Sequence, residues 1–132
     1  MPKPSVTVVI PIHNEAEFLA GAIERLTEEM AGVDASVEIL LAENGSTDAT
    51  AGIAADLAAR RDDLRLLRLP EPNYGAAMRE GFRQSTAAWV VNFDIDYFSG
   101  EFLDAALRKA DEADVVLASK RAEGSEDRRS LL

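Results

Sequence analysis

The chain has 132 residues, 47% of them apolar, no cysteine, a single histidine and a formal net charge of −10 at pH 7. That length fits one compact domain with a real core, while the missing cysteines exclude disulfides, thiolate catalysis and cysteine-ligated zinc, and His13 alone cannot make a multi-histidine metal site. The negative field opposes nucleic acid, whose phosphates it repels, and no apolar run approaches the ~20 residues of a membrane span.

Met1-Pro2-Lys3-Pro4 leads directly into a short strand rather than into the apolar core of a signal peptide, so the expectation is a soluble, cytoplasmic protein. Val6 to Ile12 is apolar and β-branched and reads as a buried strand. Leu19, Ile23, Leu26 and Met30 then recur at helical spacing, which predicts a helix over Glu15 to Met30 with Asn14 as its N-cap. Val37 to Ala42 repeats the strand signal. Glu43-Asn44-Gly45-Ser46 is turn chemistry, and Ser46 or Thr47 is the expected cap of a helix carrying Ile53 and Leu57.

Leu64 to Leu69 reads as a third strand ended by Pro70, followed by a loop and a helix from about Ala76 to Gln84. Trp89 to Phe93 is the fourth predicted strand, Glu101 to Ala113 the fourth helix and Val115 to Ala118 the fifth strand. Strands alternating with helices predict a single α/β domain over residues 1–132, a mostly parallel, doubly wound, Rossmann-like sheet with helices on both faces. The polar tail, residues 121–132, is the one segment expected to be disordered.

Four strand-to-loop transitions carry the chemistry-bearing residues: Pro11-Ile12-His13-Asn14-Glu15, Glu43 to Thr50, Asn73 to Phe82, and Phe93-Asp94-Ile95-Asp96. In a parallel sheet every strand ends at the same edge, so these segments are expected to form one site. Asp94 and Asp96, taken alone, read first as solvated turn acids and only second as oxygen ligands of a divalent cation. With so few other ligands available, a metal here is expected to be Mg²⁺ or Mn²⁺.

In order and spacing these segments resemble the nucleotide-binding half of family 2 glycosyltransferases with the GT-A fold, especially the branch of dolichyl-phosphate mannosyl- and glucosyltransferases. The matching blocks are Val-Ile-Pro-Ile-His-Asn-Glu, Glu-Asn-Gly-Ser-Thr-Asp-Ala-Thr and Asp-Ile-Asp, with Ala118-Ser119-Lys120-Arg121 similar to a later basic segment. The resemblance implies that Pro11, His13 and Glu15 line the base and ribose pocket, His13 standing where an aromatic ring is usual. It places Glu43 and Asn44 toward the nucleobase, Gly75 and Arg79 near the diphosphate, Asp94 at the ribose or cation, Asp96 on the cation, and Lys120 at a donor or acceptor phosphate. Phe98 stands where relatives often have Gln, so the cation's shell would rely more on water or phosphate.

The activity so implied is metal-dependent, inverting transfer of a hexose from a nucleotide-diphospho-sugar, of the GDP-mannose or UDP-glucose type, to a polyprenyl phosphate or another cell-envelope or glycan acceptor. A peripheral position on the cytosolic membrane face goes with it. So does an acceptor side supplied by segments that relatives carry beyond those matched here, and exposed sheet edges that favour a homo-oligomer. A non-catalytic nucleotide-sugar-binding scaffold is the alternative. A phosphoacceptor signalling domain would need acids after the first strand and an aspartate ending the third, where this chain has His13-Asn14 and Leu69-Pro70; a dinucleotide oxidoreductase would need Gly-x-Gly-x-x-Gly after the first strand.

Overall fold

The two-sided apolar pattern of the strands explains how the layers form. The computed structural model describes residues 3–116. In chain order these are β1 (Ser5–Ile12), α1 (Leu19–Ala31), β2 (Ser36–Asn44), α2 (Thr50–Arg60), β3 (Leu64–Leu69), α3 (Tyr74–Gln84), β4 (Trp89–Asn92) and α4 (Gly100–Arg108). All strand pairs are parallel, in the order β3-β2-β1-β4.

Along β1, Val6, Val8, Ile10 and Ile12 face the main core, which α1, α2 and α4 close through Leu26, Ala54 and Leu103; Val9 faces a smaller core under Ala77 of α3. Leu19, Ile23 and Leu26 of α1 are fully buried, each stabilising the fold by about 2 kcal/mol relative to exposure. Phe93 and Phe102 meet edge to face at 6.1 Å, tying the end of β4 to α4. On the opposite face α3 lies close because Gly81 has no side chain: an added Cβ would sit 2.5 Å from Val9 Cγ1.

The chain steps leftward from β1 to β2 and β3, then crosses to the other side of β1 to make β4. The reversal falls between β1 and β4, and a crevice at such a switch point is where open α/β sheets bind ligands. Helices do cover both faces. Among the described residues, however, Val115 and Val116 are in no strand, so the predicted fifth strand is not seen there; Leu117 and Ala118 lie outside the described residues.

Several boundaries differ from expectation. Asn14 does not cap α1, which begins at Leu19: Asn14 adopts a left-handed backbone (φ 51°) and uses its side chain on the next loop, while residues 15–18 form a turn closed by Leu19 N to Glu15 O at 2.9 Å. Nor does Ser46 or Thr47 cap α2; Asp48 accepts from Thr50 N at 2.9 Å. α3 begins earlier than predicted, at Tyr74, because Asn73 caps it by accepting from Ala76 N. β4 stops at Asn92, and α4 runs Gly100–Arg108 with Ser99 as its cap.

Candidate functional site

At the switch point, β1 runs beyond its last pairing with β4, Val9 with Asn92. Val9 O accepts from Phe93 N at 3.2 Å, so Pro11, two residues on, directs its missing N–H toward the side that β4 has left. The proline therefore costs no sheet hydrogen bond and opens the β1 edge to the crevice.

The β1 and β2 loops brace one another. Thr47 N donates to Asn14 Oδ1 at 2.8 Å, Asn14 N to Ser46 Oγ at 3.0 Å, and Glu15 N to Thr50 Oγ1 at 2.8 Å. Thr50 in turn donates to Asp48, and these bonds hold the Asp48 carboxyl below the usual carboxylate range. Gly45 completes the corner. Its φ of +60° is left-handed, and a Cβ there would collide with Pro72 N.

The sequence-assigned residues other than Lys120 have defined places. His13 is exposed and its Nδ1–H donates to Asn44 O at 2.7 Å, leaving Nε2 to accept from the Asn14 amide at 3.3 Å. Asn44 is buried: its amide donates to Ile12 O at 3.0 Å and its Oδ1 accepts from Asn73 N at 3.0 Å, linking β1, β2 and the start of α3. Glu43 is only 2% exposed, accepting from Ser46 N at 2.8 Å and from Arg68 Nε at 3.4 Å. Glu15 is half-buried beside this brace.

Gly75 and Arg79 lie exposed on α3; a Cβ at Gly75 would approach only Asn73 Oδ1, at 3.7 Å, so there is room for a ligand next to this backbone. Ala77 and Gly81, by contrast, are buried against the sheet and serve packing. Lys120 lies outside the described residues.

Asp94 and Asp96 occupy a tight turn closed by Tyr97 N to Asp94 O at 3.0 Å. Ile95 between them is buried, and both acids are exposed. Tyr74 joins them from α3: its phenol donates to Asp94 Oδ1 at 2.6 Å, a short, charge-assisted bond. Partial burial, then the Asp94 bond and charge, push the phenol up to about 12, so it stays a donor throughout the neutral range. A groove of about 1030 Å³ continues from Asp94 and Tyr97 along the edge of β4 that no other strand pairs among the described residues, lined by Val90, Phe82 and Phe102 among others.

The two acids suit a hard cation. Among the described residues no group of three or more His, Asp or Glu side chains is gathered, and Mg²⁺ or Mn²⁺ is commonly held by one or two carboxylates together with substrate phosphates and water. Sequence reading missed three participants: Tyr74 as the partner of Asp94, Arg68 as the partner of Glu43, and Asn14 as a brace. Each contact joins distant parts of the chain and leaves no local pattern.

The sequence pattern of glycosyl transferase family 2 matches residues 7–131. The chain belongs to that family. The undecaprenyl-phosphate 4-deoxy-4-formamido-L-arabinose transferase of Salmonella choleraesuis (strain SC-B67) is 32% identical over 123 residues, 91% of this chain and 38% of the relative. The enzyme of that name from Salmonella newport (strain SL254) matches to the same extent, 32% over 123 residues. The chain thus spans 38% of the length of these curated relatives.

Among solved structures, the mannosyltransferase PcManGT from Pyrobaculum calidifontis, in complex with GDP-Man and Mn²⁺, aligns with a TM-score of 0.67 and 26% identity, covering 80% of this chain and 32% of its own. The S. aureus TarS structure aligns with a TM-score of 0.64 at 21% identity, over 82% of this chain and 32% of its own, a likeness of fold. The parallel α/β architecture is therefore that of the GT-A glycosyltransferases, as the sequence motifs implied. No helix among the described residues is long and apolar enough to cross a membrane.

Proposed function

We propose that this chain forms the donor-binding part of a metal-dependent, inverting glycosyltransferase that takes a hexose from a nucleotide-diphospho-sugar and delivers it to a polyprenyl phosphate. One observation carries the reading: two exposed carboxylates, Asp94 and Asp96, stand on a turn beside the open edge of β1, at the switch point of the sheet. The Salmonella relatives, named for transfer to undecaprenyl phosphate, and the PcManGT complex with GDP-Man and Mn²⁺ support the acceptor, donor and metal classes.

In this reading Pro11, His13 and Glu15 form the wall against which base and ribose rest. The brace that joins the β1 and β2 loops keeps that wall fixed before ligand arrives. Glu43 and Asn44 act on the nucleobase side through the loop they hold rather than as free carboxylate and amide, since their polar atoms are engaged. The start of α3, exposed at Gly75, and Arg79 on its second turn present positive potential to the diphosphate. Lys120 is assigned to a donor or acceptor phosphate.

Asp96 and Asp94 are the residues that would hold the cation, as Mg²⁺ or Mn²⁺. When bound, such an ion stabilises negative charge on a departing diphosphate as a Lewis acid. The phosphate oxygen of the acceptor is already ionised, so its attack on the anomeric carbon, opposite the leaving group, needs no general base from this chain.

The test is thermal stabilisation of the chain by GDP-mannose and UDP-glucose, with and without Mn²⁺, repeated with Asp96→Ala. Ligand at a hundredfold excess over Kd should stabilise by about 2.7 kcal/mol, only with Mn²⁺ present and only with Asp96 intact. Binding that is independent of metal and indifferent to Asp96→Ala would overturn the reading.

A further inference from the structure

Tyr74 stands on α3, which packs over β1 and β2, yet its phenol reaches the turn that follows β4 on the far side of β1. Folding does not require this reach. The start of α3 is already fixed without it: Asn73 Oδ1 accepts from Ala76 N at 2.9 Å, and Asn73 N donates to Asn44 at 3.0 Å. Tyr74 is 50% exposed and belongs to neither core.

What the bond does fix is the orientation of an acid. Among the described residues the Tyr74 phenol is the one hydrogen-bond partner of the Asp94 side chain; it occupies Oδ1 and leaves Oδ2 open. Since no third acid or histidine among the described residues joins Asp94 and Asp96, the direction in which these two point decides what a cation meets.

Building on the donor site proposed above, we propose that Tyr74 is a positioning residue: by holding Asp94 Oδ1 it directs Oδ2, together with Asp96, toward the divalent cation that accompanies the nucleotide. A carboxylate oriented in advance loses less side-chain freedom on binding, and removal of such an orienting partner typically weakens metal affinity about 10- to 100-fold. Tyr74→Phe deletes the oxygen alone and keeps the ring.

The experiment is titration of Mn²⁺ into the full chain with saturating GDP or UDP, free Mn²⁺ being read by electron paramagnetic resonance. Wild type should bind, Asp96→Ala should not, and Tyr74→Phe should bind about tenfold more weakly while staying folded, its melting temperature at neutral pH within about 4 °C of wild type. In an Asp94→Asn background Tyr74→Phe should cause no further loss, because its effect passes through Asp94. Tyr74→Phe affinity within about twofold of wild type, or additive losses in the double variant, overturns the positioning role while leaving the donor site standing. Absence of Mn²⁺ binding by wild type overturns both.

Discussion

Where β1 and β2 end, side chains of one loop hold the backbone of the other through Asn14, Ser46, Thr47 and Thr50, whereas where β4 ends two acids stand on a turn that a single phenol steadies. The first region satisfies its polar groups internally and presents a fixed wall. The second keeps carboxylate oxygens free for a charged ligand. The difference teaches that stability and ligand chemistry are assigned to different loops of one sheet edge, so substitutions should separate them.

The largest effect is expected in the brace. Gly45→Ala forces a left-handed alanine against Pro72 and should destabilise by about 3 kcal/mol, and Asn44→Ala, which removes the side-chain bonds to Ile12 O and Asn73 N, by about 2 kcal/mol, both read from denaturant unfolding. If either variant melts like wild type, the brace is not the stabilising region.

Next come the pH limits, which separate the regions by sign. The Asp48 carboxyl is depressed by its Thr50 bonds, so its stabilising contribution is present above the ordinary value of 3.8 and is lost as pH falls through its lower folded value. Asp63, depressed by Arg61, adds to the same acid slope. Tyr74 is raised, chiefly by burial, so its contribution is complete below its ordinary value of 10 and is lost as pH rises toward about 12. Melting curves across both ranges should show Asp48→Asn flattening the acid limb and Tyr74→Phe the alkaline limb; the reverse assignment would break the comparison.

The smallest stability effect belongs to the acids themselves. Asp94→Ala and Asp96→Ala should each change unfolding free energy by no more than about 0.5 kcal/mol, since both are exposed, while removing Mn²⁺-dependent nucleotide binding. A large loss of stability in either would show that the turn is structural.

How much of this was legible in the sequence depends on whether the deciding contact was local. β3 was read to both ends, because Leu64 to Leu69 is an apolar run that Pro70 must close. The Asp94-Ile95-Asp96 turn and the opening at Pro11 were visible as motifs, and the family followed from their order. The start of α1 was misplaced because Asn14, a good cap by type, is committed to a loop more than thirty residues away, at Thr47. Likewise the burial of Glu43 beneath Arg68 and Ser46, and the reach of Tyr74 to Asp94, depend on the parallel register, which no local spacing encodes.

Ile95 gives the turn a further property. With 6% of its surface exposed, it is a pin driven into the core between two solvent-facing acids. The backbone that carries Asp94 and Asp96 is thereby anchored at one point, while each carboxylate turns about its own side-chain bonds. Their reach can be retuned from below, by the volume of the residue at 95, with both carboxylates left in place.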